Sequence, residues 1–194
     1  MAAKRFLGAL IAVLILAGVG YAIVHRTAGA TNKPPTVTGQ PFPAIDRSTL
    51  TPLQNRVLDI VHRQFEDQPP ATTFTEGHDE SWSADFVSWV MRQAGTPLSD
   101  PGNGSWRIPT VYDLESYYYS VGRLKRPDYR PRPGDVMLWG VRSPLALHAN
   151  IVVTVDYDGA GDIVTTVGGD ERGIGLRRTQ IRPDLALLGY GRLS

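Results

Sequence analysis

Residues 53–65 place apolar side chains at Leu53, Val57, Ile60, Val61 and Phe65, with Arg56, Arg63 and Glu66 left for water, and this three-and-four spacing predicts an amphipathic helix. Its start is written as Thr51-Pro52-Leu53-Gln54: an N-cap, a proline at the first helical position and a glutamine at the third, the makings of a capping box. Residues 80–95 repeat the pattern, with Trp82, Phe86, Trp89 and Val90 forming one stripe and Gly95 ending the helix. A third helix runs from Pro109 to about Val121, with Val111, Leu114 and Tyr118 inward. Beyond Gly122 the period shortens. Pro131-Arg132-Pro133-Gly134-Asp135 leads into the apolar run Val136-Met137-Leu138-Trp139, and further strands are predicted at 148–155 and 163–167, with weaker ones near 174–177 and 187–191. Helices first and antiparallel strands after predict an α+β domain, one layer on another.

Ahead of this body, Lys4 and Arg5 precede an uncharged apolar run over 6–24 that spans about 28 Å as a helix, close to the hydrocarbon thickness of a bilayer. It reads as a transmembrane anchor in 1–26, with the basic residues inside and the body outside the cytoplasm. The alternative is a cleaved signal peptide ending at Ala28-Gly29-Ala30, against which stand the length of the apolar core and the charges at His25 and Arg26. Residues 27–45 hold Pro34, Pro35, Pro41 and Pro43 without apolar periodicity and form a linker, which leaves 46–194 for the folded domain.

The charge balance, 20 basic against 19 acidic residues, implies no partner of either sign, and no basic run interleaved with aromatics supports a nucleic-acid groove. The chain has no cysteine, which excludes disulfides, Cys-ligated zinc and a thiol nucleophile. His78-Asp79-Glu80 has metal-ligating side chains, but three consecutive residues do not converge on one ion, and they read as a solvated loop. Residues 156–162 have the spacing of some calcium loops but lack the late glutamate, and Asp158-Gly159 reads as a hairpin turn. No cofactor or metal is expected. What remains is Ser83, in the first turn of the second helix, where the positive end of the helix dipole favours a nucleophile.

That helix carries a resemblance. Trp82, Ala84, Asp85, Phe86, Val87, Trp89, Val90, Ala94 and Gly95 are similar to the nucleophile helix of CHAP amidase/peptidase domains, relatives of the NlpC/P60 group with a papain-like fold. The Pro-Gly-Asp-Val entry to the first predicted strand and the order of helix before histidine strand extend the resemblance over about 50–192. It implies that Ser83 stands where the family has its catalytic cysteine. His148, heading the strand His148-Ala149-Asn150-Ile151-Val152-Val153, stands where the family has its base. It further implies that Asp170, in Gly168-Gly169-Asp170, takes the place of the group that orients the imidazole, with the family's glutamate position vacant at Gly168. Each has a plainer reading: a helix-start serine, a strand-edge histidine, a turn aspartate. The resemblance implies peptidoglycan peptides as substrate or ligand. A serine hydroxyl does not ionise as a thiol does, and the oxyanion donors in sight are the Ser83 N–H, Thr75 and His78. The expectation is therefore a catalytically degenerate module, anchored in the membrane, that binds wall peptide or a wall-enzyme partner. The alternative is an active amidase or endopeptidase using Ser83, His148 and Asp170.

Overall fold

The computed structural model describes residues 40–157, 161–182 and 185–194. The anchor expected at 6–24 and most of the linker lie outside the described residues, as does the Asp158-Gly159 turn. Among the described residues no helix is long and apolar enough to cross a membrane.

Helix α1 (Pro52–Asp67) starts as its sequence requires: the Gln54 N–H donates to Thr51 Oγ1 at 3.2 Å and the Thr51 N–H donates to Gln54 Oε1 at 2.9 Å. Gln54 has a second task, donating from Nε2 to the Pro133 carbonyl at 2.8 Å and so tying the helix start to the turn before the sheet. The short helix α2 (Thr72–Thr75) has no periodic signal in the sequence and exists to seat Phe74, whose ring stacks on Trp82 and meets Phe86 and Trp89 edge-on, each at 5.3 Å between centroids. Helix α3 (Ser83–Gln93) is buried from Ser83 through Ser88 on every side, more than a single stripe predicts. The reason is its place at the centre, with α1, α2 and α4 around it and the sheet beneath. Helix α4 (Val111–Ser120) begins at the N-cap Thr110, whose hydroxyl accepts from the Asp113 N–H at 3.1 Å, so Pro109 stands just outside the helix it was expected to open.

Six strands follow: β1 (Leu124–Lys125), β2 (Val136–Trp139), β3 (His148–Asp156), β4 (Ile163–Gly168), β5 (Gly175–Gln180) and β6 (Leu187–Gly191). They form one antiparallel sheet in the order β1-β6-β2-β3-β4-β5. The aspartate of the Pro-Gly-Asp turn earns its position: buried Asp135 accepts from the Arg132 N–H (2.9 Å), the Leu193 N–H (2.9 Å) and the Tyr129 hydroxyl (3.1 Å), fixing the entry to β2 and the chain end together. Alternation splits the central strands between two cores. Ala149, Ile151 and Val153 face the helices, while Val152 joins Met137, Trp139 and Tyr190 beneath the other face. His148 and Asn150 share the parity of Val152, which puts their side chains on the face of the sheet away from the helices.

Candidate active site

Ser83 is the first residue of α3, after the N-cap Trp82, and is 2 % exposed. Its hydroxyl does not cap the helix. Its Oγ accepts a hydrogen bond from the Ala149 N–H at 3.3 Å, so the start of α3 sits against the head of β3, one residue from His148. The first N–H groups of an α-helix have no carbonyl four residues back within the helix to bond.

His148 is buried and paired with Trp139 across β2 and β3. Its Nε2 lies 3.0 Å from Glu171 Oε1. The same oxygen accepts from Asn150 Nδ2 at 2.8 Å, and Asn150 Oδ1 accepts in turn from the Trp139 indole N–H at 2.7 Å. The other carboxylate oxygen, Oε2, is in ion-pair contact with Arg177 Nε at 2.6 Å, both side chains being essentially inaccessible. Burial alone pushes the Glu171 carboxyl up; the hydrogen bond and charge of His148 and the Arg177 guanidinium outweigh it and hold the group below the usual carboxylate range. An ionised Glu171 can only accept, so the hydrogen between the two groups belongs to His148 Nε2. No hydrogen bond joins that ring to Ser83 among the described residues.

Asp170 departs from its expected role. Its Oδ2 accepts from the Ser81 hydroxyl at 2.6 Å, and no hydrogen bond or ion pair joins it to His148 among the described residues. The cause is local backbone geometry: Asp170 adopts φ 62°, a left-handed turn conformation that suits aspartate, and the reversed chain carries the next side chain, Glu171, inward. Gly168 cannot supply the carboxylate, since a Cβ there would lie 2.3 Å from Asn150 Nδ2. The carboxylate that reaches His148 comes one residue after Asp170 and three after Gly168, at Glu171. Sequence reasoning missed it: a buried guanidinium at Arg177 calls for a buried carboxylate close by, but only the structure shows that Arg177 is buried.

Of the other expected donors, Thr75 spends its hydroxyl on the His78 carbonyl at 2.7 Å, and His78 is exposed. Glu80 pairs with Arg107, whose Nε also lies 2.7 Å from Asp85 Oδ1, a close contact without hydrogen-bond alignment. Burial pushes the Asp85 carboxyl up to about 7. These ties hold the loop before Ser83 to the loop before α4.

Four helices laid on one antiparallel sheet, with Ser83 at the start of the central helix and His148 at the head of a central strand, define an α+β domain. The family model of the CHAP domain matches residues 75–170, and the chain belongs to that family. The match takes in Ser83 and His148 and stops one residue short of Glu171. No curated protein and no solved structure matches the chain. Membership points to peptidoglycan and a hydrolase-like function.

Proposed function

We propose that the domain cleaves amide bonds of peptidoglycan peptides, with Ser83 as nucleophile, His148 as base and Glu171 as the group that orients it. The contact of 3.0 Å between His148 Nε2 and Glu171 Oε1 carries this reading, because it supplies the carboxylate that the vacant Gly168 seemed to deny the site. In the reaction, Ser83 Oγ adds to the amide carbon while its proton passes to His148 Nδ1. Collapse breaks the C–N bond, the proton goes to the departing amine, and a serine ester remains. Water then adds to the ester, again giving a proton to Nδ1, and the acid leaves as Ser83 is reprotonated. The N–H groups at the start of α3 stabilise the oxyanion.

A second reading, a module that binds wall peptide or a wall enzyme without cutting, is favoured by one observation: the Ser83 hydroxyl accepts from Ala149 and donates nothing to His148. Catalytic contacts often tighten only with substrate bound. The test is incubation of the protein with purified peptidoglycan. Release of new amines, and labelling of Ser83 by a serine-directed phosphonate, is the expected result; binding of muropeptides with neither cleavage nor labelling would establish the second reading.

Either activity needs the wall side of the membrane, and the apolar run at 6–24 behind Lys4 and Arg5 supports an N-terminal anchor with the domain outside. A C-terminal reporter fusion is expected to be active only outside the cytoplasm, with the protein retained by membranes after alkaline wash. A released species beginning near Thr31 would mean a cleaved signal instead.

A further inference from the structure

Asp170, the aspartate that the sequence offered as partner of the imidazole, ends in the folded chain beside the site instead of in it. It is half-buried and Ser81 is exposed, so the hydrogen bond between them, 2.6 Å from the Ser81 hydroxyl to Oδ2, lies at the surface. Ser81 stands two residues before Ser83, and a stretch of that length reaches at most about 7 Å. The loop that carries Asp170 is pressed onto the same helix start: a Cβ on Gly169 would lie 2.4 Å from the indole ring of Trp82, the N-cap of α3, and 2.9 Å from Phe86 Cβ. The carboxylate is therefore held at the rim of the helix start that presents Ser83.

A hydroxyl is a neutral partner, and no cation answers Asp170 among the described residues. Arg177 faces Glu171, Arg107 is engaged by Glu80 and Asp85, and the exposed Arg172 makes no ion pair with Asp170. A carboxylate has about four acceptor positions on its two oxygens, and the Ser81 hydroxyl occupies one of them. The rest are open to a donor from outside, and the donor that such a group holds most strongly is a charged N–H. Its position is also set in advance, by φ 62° in the backbone and by Ser81 at the side chain, so little freedom is lost when a ligand arrives. The turn itself does not explain the charge. It asks only for a left-handed backbone, which asparagine and glycine supply as well.

We infer that Asp170, held by Ser81, is a specificity-determining residue that binds an ammonium group of the peptide, within about two residues of the amide presented to Ser83. The inference rests on the reading of this site as one that takes wall peptide, and its test has a readout that needs no turnover. Muropeptides with free amines, and the same muropeptides N-acetylated with acetic anhydride so that those amines become neutral amides, are given to full-length wild type and Asp170→Asn. Cleavage is read as kcat/KM, and binding by calorimetry in the Ser83→Ala background, where the proposed nucleophile is absent. The protein with Asp170 is expected to favour the free-amine form about fivefold in both measures, with the preference shrinking as salt is added. Asp170→Asn keeps an oxygen for the Ser81 hydroxyl and suits the left-handed backbone, so it is expected to fold and to treat the two forms alike. Asp170→Gly serves as the neutral variant if the asparagine does not fold. A folded neutral variant that keeps the whole preference overturns the role of Asp170, and so does a protein with Asp170 that shows no preference in either measure. A wild type that cuts neither form, while the binding preference is present and is lost in Asp170→Asn, removes the hydrolase reading and leaves the ammonium site standing.

Discussion

Glu171→Gln is expected to lower kcat by about 10⁴, the scale seen when the carboxylate behind a catalytic histidine becomes an amide. An amide presents either an oxygen or an NH₂ to Nε2, and with Asn150 already donating to the same position the ring loses the acceptor that fixes its tautomer. The variant also costs stability, since it removes a charge that faces buried Arg177; truncation to alanine, which breaks this buried ion pair outright, is expected to cost roughly 3–5 kcal/mol. The pH dependence follows from the direction of the shift. Glu171 is held below its ordinary value of 4.5 in the folded protein, so its contribution is fully present above that value and is lost as pH falls through the lower, folded one. Thermal melts of the wild type should therefore drop steeply below about pH 4.5, whereas Glu171→Gln, with no proton to take up there, should show a flatter acid limb. Parallel limbs in the two proteins would show that Glu171 does not carry the acid sensitivity, and unchanged turnover in Glu171→Gln would remove it from the site.

Helices α1, α3 and α4 were legible because their signals are local, whereas the four-residue α2 has none. The Thr51 box, the apolar stripes and the Pro-Gly-Asp turn each act within a few residues, and each forms in the structure at the stated place. Ser83 and His148 were legible for another reason, since one motif fixes the start of α3 and another the head of β3. What a linear reading could not supply was the loop between β4 and β5. There the resemblance pointed to Asp170, and two features inverted the outcome: a left-handed φ at Asp170, and the Asn150 amide filling the space beside Gly168. The first is a single backbone angle and the second a contact between residues 18 apart in sequence, and no periodicity carries either. Arg177 was silent for a related reason. In a strand reading of Leu-Arg-Arg-Thr, nothing says which arginine turns inward until β5 is registered against β4, with Arg177 beside Thr166 and Arg178 beside Thr165.

Ser83→Ala tests the central assignment. If Ser83 is the nucleophile, kcat for release of amines from peptidoglycan is expected to fall by about 10⁴ or more, and phosphonate labelling is expected to vanish. The substitution also removes the acceptor of the Ala149 N–H, a buried donor, at a cost of about 1–3 kcal/mol, so circular dichroism and a melt must accompany the assay to separate lost chemistry from lost fold. Ser83→Cys supplies the complementary measurement. A thiol at the same helix terminus ionises more readily than the hydroxyl, and its longer bond to sulfur alters its reach. Cleavage in the cysteine variant but not in the wild type would mean that the scaffold still serves a thiolate and that the serine has silenced it, the degenerate-module outcome. Cleavage in the wild type that exceeds the cysteine variant, and that disappears in Ser83→Ala, would establish a serine hydrolase built on this fold. Cleavage that persists undiminished in folded Ser83→Ala would take the chemistry away from the start of α3 altogether.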